Sequence, residues 1–245
     1  MGKTVNLLYN GEPIEVYEAV PEGEIKGGLI VIEEVWGLVD HIKDVADRYA
    51  REGYYVLSPE FLSETHIKEH ADTLMLDYFD PEKRNEAQPK LRALMAPMHE
   101  PDFAEITLGR LRVCFDYLYD KPEVKQWVAV TGFCFGGGYS YALAMAEPRL
   151  KAAVPFYGHV DVENPEALKK ITCPILAFYG ENDERLMTEL PAVKRAMQDA
   201  GVNYTAKVYP DAGHALFNDT NPFAYNEAAA KDAWQRTLDF LSANR

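Results

Sequence analysis

The stretch TGFCFGGG occupies residues 131–138 and places a thiol, that of Cys134, between glycines. The apolar run WVAVTGF leads into it and the small-residue pattern YSYALAMA follows it, which predicts a strand that turns sharply into a helix. The pattern G-F-C-F-G fits the nucleophile elbow G-x-S-x-G, with cysteine in place of serine. Taken alone, a cysteine between glycines is also typical of a small packed side chain. The rest of the chain decides between these two interpretations.

Strand and helix patterns alternate on both sides of this turn. Helical patterns cover residues 39–53, 103–120, 190–201 and 221–242, and the strand patterns are GGLIVIEEV, YYVLSPE, QWVAVTGF, KAAVPFYG, PILAFYGEND and YTAKVYPDAG. Continuous apolar strands with short polar connections predict a mostly parallel central sheet with helices on both faces.

Two segments lie outside this alternation. Residues 3–18 carry an Asn-Gly pair between alternating runs, which predicts an N-terminal β-hairpin. The segment 59–101 is rich in proline and charge, and we interpret it as a cover over the sheet rather than a second domain. We therefore expect residues 1–245 to form one domain.

Composition narrows the class of protein. The formal net charge of −14 argues against nucleic-acid binding and disfavours long-range capture of anionic ligands. No apolar run is long enough to cross a membrane. The three cysteines are widely spaced and form no CxxC pair, which favours a reducing cytoplasm over a disulfide framework or a zinc ribbon. No sequence feature fixes the oligomeric state.

Three predicted strand ends carry reactive groups. Cys134 follows one strand, Asp183 follows another in GEND, and His214 follows the last in YPDAGH. The chain order of nucleophile, acid and histidine is that of the α/β-hydrolase fold. A thiol needs a base to become a thiolate, and a carboxylate fixes the orientation of that base. This joint occurrence favours a catalytic triad, although each residue alone has a structural interpretation.

The loop after the first long strand, IEEVWG, supplies a further element. A nucleophile elbow pairs the amide after the nucleophile with an amide from this early loop, and the two form an oxyanion hole. The pattern assigns these amides to Val35 and Phe135. Glu34 directly follows the strand, where it has either a role in the site or the ordinary role of a solvated strand end.

Together these motifs resemble those of the dienelactone hydrolases. The resemblance rests on E-V-W-G near Glu34, G-F-C-F-G-G around Cys134, G-x-N-D at Asp183 and A-G-H at His214, and it runs from about residue 12 to the C-terminus. It implies an α/β-hydrolase fold, a Cys134–His214–Asp183 triad and hydrolysis of a small ester or lactone without metal or organic cofactor. It also implies that Glu34 pairs with the resting thiol and releases it when substrate binds.

The sequence departs from this family at one position. The family has an arginine four residues after the histidine that helps to hold a substrate carboxylate, and this chain has Asn218. A second family arginine has Arg84 as its nearest counterpart in the 59–101 segment. We therefore expect neutral or weakly charged substrates. Four aromatic residues are candidates either for an apolar pocket or for the core: Trp36, Phe156, Tyr157 and Phe217.

Other functions stay open at this point. Without the anion-binding arginine, a thiolate could also attack activated aryl esters or phosphotriesters. The segment HIKEH, residues 66–70, matches the zinc-protease pattern H-x-x-E-H, although a solvated helical face explains it as well. A non-catalytic binding module would lack part of the triad, and a thiol–disulfide oxidoreductase would need a second cysteine beside Cys134.

Overall fold

The computed structural model describes residues 2–245. Eight strands form one sheet in the order β1-β2-β4-β3-β5-β6-β7-β8, in which β3 to β8 run parallel and β1 and β2 are antiparallel additions. The strands are β1 (Lys3–Tyr9), β2 (Glu12–Ala19), β3 (Gly27–Ile32), β4 (Tyr54–Pro59), β5 (Val128–Phe133), β6 (Ala152–Phe156), β7 (Ile175–Gly180) and β8 (Tyr204–Tyr209). The predicted mostly parallel α/β sheet is confirmed.

Burial explains why the central strands read as continuous apolar runs. Every residue of β3, β4, β5, β6 and β7 is buried, because helices cover both faces of a parallel sheet. The hairpin of β1 and β2 turns at Asn10 and Gly11, whose φ angles of 52° and 86° fit a tight hairpin turn. The predicted N-terminal hairpin is therefore also confirmed.

Eight α-helices surround the sheet within residues 2–245. They are α1 (Asp40–Arg51), α2 (Ala71–Phe79), α3 (Arg84–Leu94), α4 (Phe103–Tyr119), α5 (Phe135–Ala146), α6 (Pro165–Leu168), α7 (Glu184–Asp199) and α8 (Glu227–Ala243). None of them combines the length and the apolar composition that a bilayer-crossing helix requires.

Two helices begin elsewhere than their patterns predict. Helix α7 begins at Glu184, before the predicted 190–201, because the Asp183 side chain accepts a hydrogen bond from the amide of Leu186 and caps the helix. Helix α8 begins at Glu227, after the predicted start, where Asn226 is the capping residue. In both cases a side-chain cap sets the boundary.

The 59–101 segment contains α2 and α3 and several short 3-10 turns. Its apolar residues form a small cluster of their own against Trp36, which comes from the loop after β3. The members of this cluster are Trp36, Ile67, Ala71, Leu74, Met75, Ala87 and Leu91. The segment therefore packs beside the carboxyl end of β3.

Candidate active site

The backbone holds Cys134 in an uncommon conformation between β5 and α5. Its φ and ψ angles are 54° and −107°, which few residues other than glycine adopt, and such strain concentrates at functional sites. A Cβ atom at Gly132 would collide with the backbone of Gly136, and one at Gly136 would collide with the carbonyl of Ile32. The amide of Cys134 donates to the carbonyl of Phe156 at 3.0 Å. The glycines thus permit a sharp turn that leaves the thiol half-buried.

Asp183 and His214 lie hydrogen-bonded at the ends of β7 and β8. The Nδ1 atom of His214 donates to Oδ2 of Asp183 at 2.5 Å, while Oδ1 of Asp183 caps α7. Burial lowers the pKa of His214, but the negative charges of Cys134 and Asp183 outweigh it and raise this pKa to about 10. Burial alone raises the pKa of Asp183, but the bond to His214 brings it below its usual value. The Cys134 thiol, the His214 imidazole and the Asp183 carboxylate therefore lie close enough to influence one another electrostatically.

The carboxyl group of Glu34 is buried beside these three residues and accepts hydrogen bonds from two neutral donors. The hydroxyl of Tyr157 donates to Oε1 at 3.0 Å, and Nδ2 of Asn218 donates to Oε2 at 2.7 Å. Asn218 is itself held by Thr220, whose amide and hydroxyl donate to its Oδ1 at 3.1 and 2.7 Å. The Tyr157 ring lies 5.1 Å from that of His214, centroid to centroid. Glu34 thus lies beside the predicted triad, held by the residue that follows β6 and by a residue of the loop after His214.

The phenol of Tyr157 stays protonated in this position. Burial, and then the neighbouring charge of Glu34, raise the pKa of Tyr157 well above its ordinary value. Its φ of 37° is a second strained backbone angle beside the site. Sequence reasoning identified Tyr157 only as an aromatic residue, and it identified Asn218 only as the place of an absent arginine. No local pattern indicates that both donate to Glu34.

The two amides predicted for the oxyanion hole border the elbow. Within residues 2–245, neither the Val35 nor the Phe135 amide donates a hydrogen bond. Phe135 is the first residue of α5, where an N–H has no partner inside the helix. The carbonyl of Glu33 accepts from the amide of Gly136 at 3.0 Å and so joins the early loop to the elbow helix. Both amides therefore lack an acceptor in the part of the chain that the structure describes.

The aromatic candidates occupy buried positions. Phe156 and Phe217 pack against each other and against Phe133 of β5, with ring centroids 4.8 to 5.2 Å apart. Phe156 is 0% exposed and Phe217 is 2% exposed. These two rings therefore belong to the hydrophobic core.

Arg84 and Trp36 meet through an aromatic residue of α2. The guanidinium of Arg84 lies 5.2 Å from the ring centroid of Tyr78, and that ring lies 6.3 Å from the ring of Trp36. Arg84 is exposed at the start of α3, whereas Trp36 is buried. Neither forms a hydrogen bond or ion pair with the triad residues.

The HIKEH segment does not form one face of an α-helix. His66 has a left-handed φ of 54°, and residues Ile67–His70 form a 3-10 turn, in which residues three rather than four positions apart align. The ring of His66 is exposed and pairs with Glu69 at 2.9 Å. No group of three or more potential metal-ligating side chains occurs within residues 2–245. The two histidines therefore lack the shared helix face that the zinc-protease pattern requires.

Comparison with known proteins identifies sequences and solved structures that are similar to this chain. The sequence model described as the dienelactone hydrolase family matches residues 14–244. A protein of Saccharolobus solfataricus, provisionally named carboxymethylenebutenolidase, is 34% identical over 98% of both chains. A crystal structure of a provisionally named dienelactone hydrolase from Klebsiella pneumoniae has a TM-score of 0.81 at 27% identity, covering 99% of this chain and 98% of that one.

A further solved structure shares the fold at lower identity. It is a dienelactone hydrolase-like promiscuous phosphotriesterase from metagenomic libraries, with a TM-score of 0.76 at 21% identity. The alignment covers 100% of this chain and 98% of that one. The match extends over the whole sheet and the 59–101 segment.

Proposed function

The chain belongs to the dienelactone hydrolase family, and from this premise we propose that it hydrolyses carboxylic esters or lactones with Cys134 as the nucleophile. The observation that carries the proposal is the 2.5 Å hydrogen bond between His214 and Asp183 at the elbow that presents the thiol. Three predicted strand ends meet there, as a nucleophile, a base and its orienting carboxylate would require. The high pKa of His214 is consistent with an imidazolium that stabilises a thiolate.

The proposed first step is acylation of the enzyme. The Cys134 sulfur attacks the substrate carbonyl, and the carbonyl oxygen takes up negative charge between the amides of Val35 and Phe135. When this tetrahedral intermediate collapses, the bond to the leaving oxygen breaks and His214 donates a proton to it. Asp183 keeps the imidazole in the orientation that both proton transfers need.

The second step releases the acid. His214, now neutral, removes a proton from water, and the resulting hydroxide attacks the thioester carbonyl. The thiolate of Cys134 leaves, and the imidazolium again lies beside it. The proposed cycle uses three side chains and two backbone amides, and it takes up one water for each ester bond that is broken.

Substrate charge follows from the surroundings of Glu34. Its two donors, Tyr157 and Asn218, are both neutral, so neither supplies a positive charge to this part of the site. Arg84, the candidate counterpart of the family's second arginine, lies over Tyr78 on the surface. With a net charge of −14 in addition, we propose that neutral or weakly charged substrates are preferred over anionic dienelactones.

A second candidate activity uses the same thiol. Neutral aryl phosphotriesters are electrophiles that carry no anionic group, and Asn218 presents none of the cationic character that an anionic substrate would need. The phosphotriesterase named among the solved structures motivates this candidate, although its 21% identity supports a shared fold only. Turnover of aryl carboxylic esters without any turnover of neutral phosphotriesters would remove it.

The test is to measure turnover of a neutral aryl ester and of an anionic enol-lactone in the presence of a chelator. We expect wild type to favour the neutral ester, and Cys134→Ala to lose at least about 10³-fold in kcat because the triad acts as one unit. Cys173→Ala is the matched control, since it removes a buried thiol outside the site. Near-normal turnover by Cys134→Ala would refute the proposal. If the chelator abolishes turnover and His66→Ala abolishes it as well, the activity belongs to the HIKEH segment instead.

A further inference from the structure

Two buried carboxyl groups outside the triad flank the loop of residues 33–38. Glu33 is 0% exposed and Glu60 is 5% exposed. A buried carboxyl group is costly unless hydrogen bonds or a counter-charge compensate it, so its partners indicate its role. Both side chains bond to backbone amides at or near this loop, which carries Val35.

Glu33 holds the start of the loop. Its Oε1 accepts from the amide of Phe61 at 2.8 Å, and its own backbone carbonyl accepts from the amide of Gly136 at 3.0 Å. The side chain thus ties the loop to the chain after β4, and the backbone ties it to the elbow helix. Val35 lies two residues farther along.

Glu60 holds the other end of the loop. Its Oε2 accepts from the amide of Leu38 at 3.1 Å, and its Oε1 accepts from the amide of Leu62 at the same distance. A Cβ atom at Gly37, whose φ is 80°, would lie 3.3 Å from Oε1. The carboxylate therefore packs directly beneath the turn that follows Val35.

The two carboxyl groups carry different charges. Burial, and then the negative charge of Glu60, raise the pKa of Glu33 well above its usual range, and its Oε2 has no hydrogen-bond partner within residues 2–245. Glu60 instead pairs with Lys68 at 3.0 Å, and Lys68 also faces Glu15 at 3.7 Å. Burial thus favours the protonated form of Glu33, while Glu60 has a cationic partner.

We propose that Glu33 and Glu60 are positioning residues that clamp both ends of the 33–38 loop, so that the Val35 amide stays aligned with that of Phe135. This inference rests on the proposed hydrolysis, in which these two amides bind the oxyanion. Such donors stabilise a transition state only if they are aligned before the reaction, because reorientation during the reaction would cost the energy they supply. The clamp would supply that alignment from outside the site.

The test compares Glu33→Ala with Glu33→Gln. The alanine variant removes the acceptor for Phe61, so we expect kcat for an aryl ester to fall by about 10- to 100-fold with little change in KM. The glutamine variant keeps a neutral acceptor of the same shape, and its kcat should stay within about twofold of wild type. Glu18→Gln is the control, because Glu18 is a buried carboxyl group bonded to Tyr55 and Tyr117, away from the loop.

Two measurements distinguish misalignment of the oxyanion-binding amides from general damage to the protein, and from failure of the proposed function. Alkylation of Cys134 by iodoacetamide needs no oxyanion hole, so its rate should be unchanged in Glu33→Ala. Hydrogen exchange of the 33–38 amides should be faster in that variant, whether or not the protein hydrolyses esters. If wild type turns over no ester, the proposed function fails while hydrogen exchange still decides whether the clamp exists.

The charge of Glu33 has its own test. A carboxyl group whose pKa is raised on folding contributes stability below its unfolded pKa and loses that contribution as pH rises. The Tm of Glu33→Gln should therefore increase relative to wild type between about pH 5 and about pH 8.

Unchanged kcat and unchanged hydrogen exchange in Glu33→Ala would overturn the proposal, as would a Glu33→Gln variant as impaired as the alanine one. If Glu33→Ala does not fold, Glu60→Gln must show the same faster exchange, and its absence overturns the proposal.

Discussion

Replacement of Asn218 by aspartate is a direct test of the charge of Glu34. The Nδ2 atom of Asn218 donates to Oε2 of Glu34 at 2.7 Å, and both side chains are 1% exposed. Asn218→Asp changes this donor into an oxygen without changing the shape of the side chain. The other oxygen keeps its two hydrogen bonds from Thr220. The substitution therefore adds one charge and removes one donor, which also contacts the sulfur of Met75 at 3.6 Å.

The expected cost follows from that distance. Two negative charges 2.7 Å apart repel by about 6 kcal/mol at an effective dielectric constant of about 20. Uptake of a proton limits this cost: protonating a carboxyl group with an ordinary pKa of about 3.9 costs about 5.6 kcal/mol at about pH 8 and about 1.5 kcal/mol at about pH 5. A carboxyl group with a raised folded pKa loses stability as pH rises, so the loss in Asn218→Asp should grow by about 4 kcal/mol between these pH values.

The assay is urea unfolding of wild type and variant at both pH values. An added loss of about 4 kcal/mol is large against the 5–15 kcal/mol that folded domains possess, so the variant should be close to unfolding at the higher pH. Thr220→Val is the control, because it removes the hydroxyl bond to Asn218 without adding charge and should cost about 1 kcal/mol at both pH values. An equal loss for Asn218→Asp at both pH values would refute an ionised Glu34 at this contact.

Three further outcomes test the triad. Asp183→Asn should lower kcat by about 10³- to 10⁴-fold by removing the carboxylate that orients the imidazole, although asparagine can still cap α7; a kcat within about tenfold of wild type would contradict this. The pKa of His214 is raised to about 10, so its contribution to the free energy of unfolding is present below about pH 6.5 and is lost as pH rises towards 10. His214→Gln should remove that pH dependence. If the free energy of unfolding of the variant depends on pH as that of wild type does, the ion pair is refuted. Cys134→Ala should change the free energy of unfolding by less than about 1.5 kcal/mol in urea titrations, since it leaves only a small void at a half-buried site, and a larger loss would indicate a structural role for the thiol.

The sequence predicts the sheet well because its central strands are buried on both faces. A strand such as β5 is buried at every position, and it can therefore be recognised in the sequence as a continuous run of mostly apolar residues. Helix boundaries are less visible where one residue has two roles. Asp183 is assigned to the triad by its chain order, and the same side chain also caps α7 and extends it towards the strand. The helices of the 59–101 segment lack a strong pattern, and α3 even contains Pro89.

The contacts around Glu34 could not be predicted from local pattern. Asn218 lies 184 residues from Glu34 in the chain, and Tyr157 lies 123 residues from it. Their meeting depends on the strand order, which brings the ends of β3, β5 and β6 side by side. Sequence patterns indicate the type of each secondary-structure element and the order of the motifs along the chain. Contacts between side chains more than a hundred residues apart depend instead on how the completed sheet packs.

Buried carboxyl groups on both sides of the Val35 loop suggest a reason for a thiol nucleophile here. Glu34 and Glu60 are buried acidic side chains on the two sides of this loop, and the cation among the proposed catalytic groups is the imidazolium of His214. A thiol forms an anion far more readily than a hydroxyl, so it can keep an ion pair with His214 in this field. The same field opposes a substrate that brings another negative charge. The proposed thiol nucleophile and the proposed preference for neutral substrates would thus both follow from one distribution of charge.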